Sequence, residues 1–236
     1  MISIAQAVGS STYPGRGILA GKSKDGAKAV FAYFIMGRSV NSRNRVFVEE
    51  TDGMRTRAYD PSQMKDPSLI IYYPVRRTED KLIVTNGDQT DTIWEAVKAD
   101  GSFVSALNTR TFEPDAPNYT PRISAMATFR AGDFSLDMGI LKAADSQGQS
   151  TLRAYYCYDT VEKGVGYFLH TYKCDGSPIP SFEGEPEKVA FESGDADEVA
   201  NEIWANLDEN NKVSLWVESY DLATGECVTR VINRNV

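Results

Sequence analysis

KLIVTNGDQTDTIWEAVKADGSFVSALNTRTFEPDAPNYTPRISAMATF, residues 81–129, decides the fold class: a β segment, a helical pair and a second β segment. KLIVTNG at 81–87 and RISAMATF at 122–129 are short apolar runs of the kind that fill a buried sheet. Between them, Asp91 is placed to cap a helix holding Ile93, Trp94 and Val97. Gly101 breaks that helix, and 102–109 offers a second short one. Outward from this stretch the β pattern continues, with AVFAYFIMG at 29–37, RVFVEE at 45–50 and LIIYYPV at 69–75 before it. FSLDMGILKA at 134–143, LRAYYCYD at 152–159, GYFLHTYK at 166–173 and KVSLWVES at 212–219 follow. A last helix is predicted over 195–208, with Val199, Ile203 and Leu207 on one face and acidic residues on the other. Strands on both sides of a helical pair, with a late helix, predict an α+β protein of layered sheets covered by helices.

At 236 residues, 42% hydrophobic and 11% aromatic, the chain can bury one substantial core, so 1–236 reads as a single domain. Residues 1–12 read as an N-terminal leader, either disordered or adding an edge strand. SPIPSFEGEPE at 177–187, rich in Pro, Gly and Glu, reads as a surface loop. No basic n-region opens the chain, and no stretch approaches the roughly 20 apolar residues that span a bilayer. A soluble, cytoplasmic protein with no membrane partner is expected. A net charge of −8 and a pI near 4.8 weigh against a nucleic-acid partner, whose phosphates call for a broad basic face. Cys157, Cys174 and Cys227 are odd in number and outside any CxxC pattern, so buried reduced thiols are expected. His170 is the only histidine and sits in an alternating stretch, as a structural strand residue would. A His-rich zinc site is excluded, and a Ser-His-Asp triad would hang on that one ring.

Positive charge is unevenly placed. Of the 14 arginines, 11 lie within residues 1–130, set among small and amide residues in YPGRG at 13–17, GRSVNSRNR at 37–45 and NYTPRIS at 118–124. On an acidic chain this clustering suggests a site for a small anion, since guanidinium forks match phosphate and carboxylate oxygens. In TNGDQTDTI, Asn86-Gly87 favours a tight turn, and Thr90, Asp91 and Thr92 stand at a helix start. That arrangement suits a phosphate or a base edge, and it equally suits plain turn-and-cap chemistry. Asn118 can read a ligand amide or merely hold its proline-bounded loop, which Pro114 and Pro117 fix.

Five ordered strings over residues 13–124 resemble one family: YPGRGILAG, YFIMGRSVNSRNRVF, IIYYPVR, TNGDQTDTI and FEPDAPNYTPRIS. They are similar to the archaeal-type inosine monophosphate (IMP) cyclohydrolases and their bacterial relatives. The resemblance implies a four-layer αββα sandwich, N-terminal-nucleophile-hydrolase-like, that does not use the nucleophile defining those hydrolases. It implies closure of 5-formamidoimidazole-4-carboxamide ribonucleotide (FAICAR) to IMP and water in purine biosynthesis, with no metal or cofactor required. It also implies FAICAR and IMP as ligands and leaves room for a homo-oligomer, since the family assembles into oligomers.

Carried over residue by residue, the resemblance puts Tyr72 and Glu113 at proton-transfer positions and Arg45 where it polarises the formyl oxygen or stabilises the oxyanion. Arg16, Arg38 and Arg122 match positions that hold the 5′-phosphate or orient the base, with Asn44, Asn86, Asp91 and Asn118 as further substrate-binding candidates. Without the resemblance, Tyr72 would read as a sheet tyrosine, Glu113 as a solvated acid and the arginines as surface ion pairs. Family-like chains begin near Tyr13, so residues 1–12 depart from the pattern. Beyond about residue 130 no string is comparably specific. Two alternatives remain: a catalytically silent purine-nucleotide-binding protein, and a self-processing amidohydrolase exposing Ser11 or Thr12 as N-terminal nucleophile.

Overall fold

In AVFAYFIM the side chains of alternate residues part to opposite faces of a strand, and here both faces are apolar, so the strand must be covered on both sides. The computed structural model, which describes residues 1–64 and 66–235, bears this out. The first sheet contains β1 (Ile2–Ser3), β2 (Arg16–Lys22), β3 (Lys28–Met36), β11 (Val165–His170), β12 (Glu187–Ala190), β13 (Lys212–Asp221) and β14 (Cys227–Asn233). Its spatial order is β1-β12-β11-β2-β3-β13-β14, antiparallel throughout except for the parallel β1–β12 pair. The second sheet is a plain antiparallel meander of β4 (Arg45–Glu50), β5 (Gly53–Ala58), β6 (Val75–Arg77), β7 (Lys81–Thr85), β8 (Arg122–Arg130), β9 (Asp133–Ala143) and β10 (Thr151–Tyr158). The protein is thus α+β, with two seven-stranded sheets and few helices.

Ala29, Phe31, Tyr33 and Ile35 of β3 join Phe47, Val84, Ile123 and Met138 of the second sheet in a core between the sheets. Val30, Ala32, Phe34 and Met36 face the other way, onto α1 (Ile4–Val8) and α5 (Ala196–Asn206). Ile83, Met126 and Leu141 of the second sheet pack on α3 (Gln89–Lys98) and α4 (Phe103–Asn108) through Ile93, Phe103 and Leu107. A one-turn α2 (Val40–Arg43), fixed by a Ser39/Ser42 capping box, carries the chain from β3 to β4, from one sheet to the other. Such burial stabilises by about 25 cal/mol per Å² of apolar surface removed from water.

Several expectations need correcting. LIIYYPV is not a strand until its last residue: Ile70 and Ile71 donate to the Pro67 carbonyl, so 67–71 turns, and strand pairing of β6 starts only at Val75 after Pro74. The Thr56 hydroxyl then stands in for a ladder partner, accepting from Tyr72 N–H at 2.8 Å. Asp91 does not cap α3; Asp88 occupies the N-cap position, and Asp91 lies in the first turn, where it accepts from Arg76 Nε at 2.6 Å. The three cysteines are free but exposed, not buried. Cys157 and Cys227 lie on the outermost strands β10 and β14, at positions that face water. The Cys157 thiol is pushed up to about 11, first by its hydrogen bond with Asp137 and then by burial, which leaves it a weak nucleophile. His170 is structural as expected: buried, with Nδ1 2.8 Å from the Tyr172 carbonyl and its ring against Phe168 and Phe182.

Candidate active site

Three strands begin with an arginine at the same end of the space between the sheets: Arg16 on β2, Arg45 on β4 and Arg122 on β8. All three are buried, with Arg45 only 1% exposed. Each keeps one guanidinium nitrogen without a partner: Arg16 Nε, Arg45 Nη1 and Arg122 Nε. These are half of the six buried polar side-chain atoms left unpaired among the described residues. An unmade hydrogen bond at a buried donor costs about 1–3 kcal/mol, more when the group is charged, so a cluster of them points to an anionic ligand.

Backbone detail explains how the arginines are held. Gly15 has φ +80°, and a Cβ there would lie 2.3 Å from Thr171 Oγ1 and 2.5 Å from the Tyr172 ring. Only glycine lets the chain enter β2 this close to β11. Thr171 Oγ1 accepts from Arg16 N–H at 3.1 Å, and Arg45 Nε donates to the Ser42 carbonyl at 2.8 Å. Arg122 Nη1 is anchored by Asp88 and Gln89, each at 2.7 Å.

Glu113 faces Arg16 across the inter-sheet space, with its two oxygens 3.2 and 3.3 Å from Nη2. It rides on the 112–121 loop, closed by Glu113 N–H to the Thr120 carbonyl at 2.9 Å and by Thr120 N–H to Asp115 Oδ1 at 2.6 Å. Tyr119 in that loop adopts φ +43°, a left-handed conformation uncommon for a residue with a Cβ. Burial pushes the Glu113 carboxyl above its ordinary range, although the charges of Arg16, Arg122 and Arg45 all favour its anion. The Arg16 guanidinium stays charged, so the pair is a buried cation beside a carboxyl that holds its proton more tightly than a solvated glutamate does.

Tyr72 meets Tyr33 of β3 hydroxyl to hydroxyl at 2.7 Å, both rings buried. The charges of Arg16 and Arg45 act on this phenol pair. Around Glu113 lies a cavity of about 390 Å³ whose walls include Arg16, Arg38, Asp115, Asn118 and Tyr172. Tyr172 stacks on Tyr13 with centroids 5.8 Å apart, and the Arg38 guanidinium lies 5.1 Å over Tyr13. Thr120 Oγ1 is 2.5 Å from both Asp115 Oδ2 and the Tyr172 hydroxyl. An ionised carboxylate only accepts, so Thr120 donates to Asp115 and Tyr172 donates to Thr120, which fixes the direction of this chain.

A family model for IMP cyclohydrolase-like protein matches residues 13–225. The chain belongs to the IMP cyclohydrolase-like family. Similar curated proteins include an IMP cyclohydrolase of Methanopyrus kandleri, 31% identical over 184 residues that make up 72% of this chain and 89% of the relative. Another, from Methanococcus aeolicus, is 25% identical over 166 residues, 69% of this chain and 75% of the relative. The IMP cyclohydrolase-like match runs well past the last string quoted above, so the second half belongs to it too.

Within this member of the IMP cyclohydrolase-like family, the candidate residues divide. Tyr72, Glu113, Arg45, Arg16 and Arg122 converge, and Arg38 and Asn118 stand at the rim, Arg38 held by Asp175 at 2.5 Å and Asn118 accepting from Ile179 N–H at 3.2 Å. Three others are occupied elsewhere. Asn44 bridges both backbone groups of Asp60 at 2.7 Å. Asn86 serves the Pro121 carbonyl and Ile123 N–H, and Asp91 is paired with Arg76. Tyr33, Thr120 and Tyr172 escaped the sequence reading. For Tyr33 the only signal was a hydroxyl at an inward position of an otherwise apolar strand.

Proposed function

We propose that the protein is an IMP cyclohydrolase, closing FAICAR to IMP and water in purine biosynthesis. The observation that carries this is the buried Glu113 beside three arginines with unpartnered nitrogens, in a chain of this family. In the reaction the carboxamide nitrogen attacks the neighbouring formyl carbon, forming one C–N bond. The formyl oxygen then leaves as water, taking one proton from each of the two nitrogens. Proximity is built into the substrate, so the enzyme adds charge stabilisation and proton transfer.

Glu113, with its raised pKa, and Tyr72 are the proton-transfer pair in this reading, and Arg45 stabilises negative charge at the attacked carbonyl. Arg16, Arg38 and Arg122 take the phosphate or orient the base, with Asn118 at the rim. Asn44, Asn86 and Asp91 act through the backbone and Arg76 they hold. No step calls for a metal or an organic cofactor.

We extend the proposal to the fold and the cell. Facing sheets with helices on their outer sides support the four-layer αββα, N-terminal-nucleophile-hydrolase-like sandwich as one domain over residues 1–236. Among the described residues no helix is long and apolar enough to cross a membrane, and the pI near 4.8 fits a cytoplasmic enzyme with no nucleic-acid or membrane partner. A homo-oligomer is part of the same reading. Incubation of purified protein with FAICAR, followed by chromatography, is expected to yield IMP. IMP binding without turnover by folded protein would move the assignment to a silent nucleotide-binding protein.

A further inference from the structure

A buried tyrosine hydroxyl needs a hydrogen-bond partner, and Tyr33, fully shielded from water, has the Tyr72 hydroxyl at 2.7 Å. The two rings come from distant parts of the chain: Tyr33 is on β3 of the first sheet, backed by Phe47 at 5.7 Å between centroids, and Tyr72 is on the turn before β6 of the second. Two phenols sharing one hydrogen bond must divide the roles of donor and acceptor. We propose that Tyr33 is a positioning residue that donates to Tyr72 Oη, aims the Tyr72 proton at the substrate and holds the oxygen when that proton leaves. The inference rests on the proton-transfer role proposed for Tyr72.

Several observations favour this direction. Burial, and then the neighbouring Tyr72, push the Tyr33 phenol well above its ordinary range, so Tyr33 keeps its proton. Arg16 and Arg45 lie close enough to act on the pair and offset negative charge there. Thr56 fixes the Tyr72 backbone on both sides, through Tyr72 N–H to Oγ1 and Thr56 N–H to the Tyr72 carbonyl, so the phenol has little freedom to leave Tyr33. When Tyr72 protonates the departing oxygen, its O–H electron pair remains on Oη, held by the Tyr33 hydrogen bond. A substrate N–H then returns the proton, and no further reactant is needed.

The test is a double-mutant cycle of Tyr33→Phe and Tyr72→Phe on FAICAR turnover, with tyrosine ¹³Cζ NMR spectra alongside. Tyr33→Phe keeps the ring and its packing. It is expected to lower kcat about tenfold or more, while KM and IMP affinity change by less than about threefold. In the Tyr72→Phe background it is expected to cost nothing further, because its effect passes through Tyr72. The Tyr72 ¹³Cζ resonance, assigned by its loss in Tyr72→Phe, is expected to move once the Tyr33 donor is removed, because the shielding of that carbon follows the hydrogen bond its oxygen accepts. Losses that multiply in the double variant, or an unchanged Tyr72 resonance, would overturn the proposal. Absence of turnover in the wild type would sink the cyclohydrolase reading instead, and the Tyr72 resonance would still decide whether Tyr33 holds Tyr72.

Discussion

The space between the two sheets opens into a cavity at each end, about 390 Å³ around Glu113 and about 420 Å³ around Glu218. Size does not distinguish them. The first is lined by Arg16, Arg38 and Glu113, and Arg122 and Arg45 lie close enough to act on that glutamate; Arg16, Arg45 and Arg122 each have a guanidinium nitrogen unpaired. The second is lined by Glu49, Glu50, Asp52 and Glu218, and its one arginine, Arg77, is committed to Glu218 while lying 5.6 Å over both Phe129 and Tyr220. One end has cationic donors to spare for an anion. The other has spent its cation and would repel a phosphate. Both ends hold a buried glutamate raised by burial, so a raised carboxyl alone does not mark the active end.

Swapping each glutamate for its amide breaks the comparison most sharply. Glu113→Gln is expected to lower kcat for FAICAR by about 10²–10⁴-fold, with Tyr72→Phe in the same range. Glu218→Gln should stay within about twofold of wild type, and steady-state assays of the three variants check this. Next come the arginines. Arg45→Lys and Arg122→Lys exchange a planar fork for a point charge and should weaken IMP binding about tenfold or more by calorimetry, whereas Arg77→Lys leaves it unchanged.

The entry to β2 gives a smaller effect. Gly15→Ala places a Cβ against Thr171 and Tyr172 at a left-handed φ, and the conformation alone costs about 1–2 kcal/mol. For a chain of this size that lowers Tm by about 2–8 °C, measured by calorimetry.

Smallest is a pH effect on stability. Because the folded Glu113 has a raised pKa, between its unfolded and folded values the native state binds a proton that the unfolded chain has released. Stability therefore falls as pH rises through that window. Glu113→Gln removes the loss, so its Tm relative to wild type should climb as pH rises above the ordinary glutamate value of 4.5. A difference that shrinks with pH would mean that Arg16 holds Glu113 as a native anion.

Regular structure was readable wherever one period ran uninterrupted. AVFAYFIM, RISAMATF and the 195–208 helix carry their pattern in adjacent residues, and β3, β8 and α5 follow it. LIIYYPV misled because apolar content outweighed Pro67 and Pro74, which set the turn and delay β6. The candidate site divides along similar lines. Arginines flanked by glycine and asparagine stood out by composition, and family-like strings brought Tyr72 and Glu113 forward. Tyr33 did not stand out, because what separates it from a core tyrosine is a partner 39 positions away, in the turn before β6. Asn44 and Asn86 show the converse: an amide that bridges two backbone groups reads the same in sequence as one facing a ligand.

A crystal structure of the protein with IMP tests the central claim most directly. IMP is expected at the Glu113 end, with its oxygens within hydrogen-bond distance of at least two of Arg16 Nε, Arg45 Nη1 and Arg122 Nε. IMP seated against Glu218 and Arg77, or held with all three of those nitrogens still unpaired, would contradict the account.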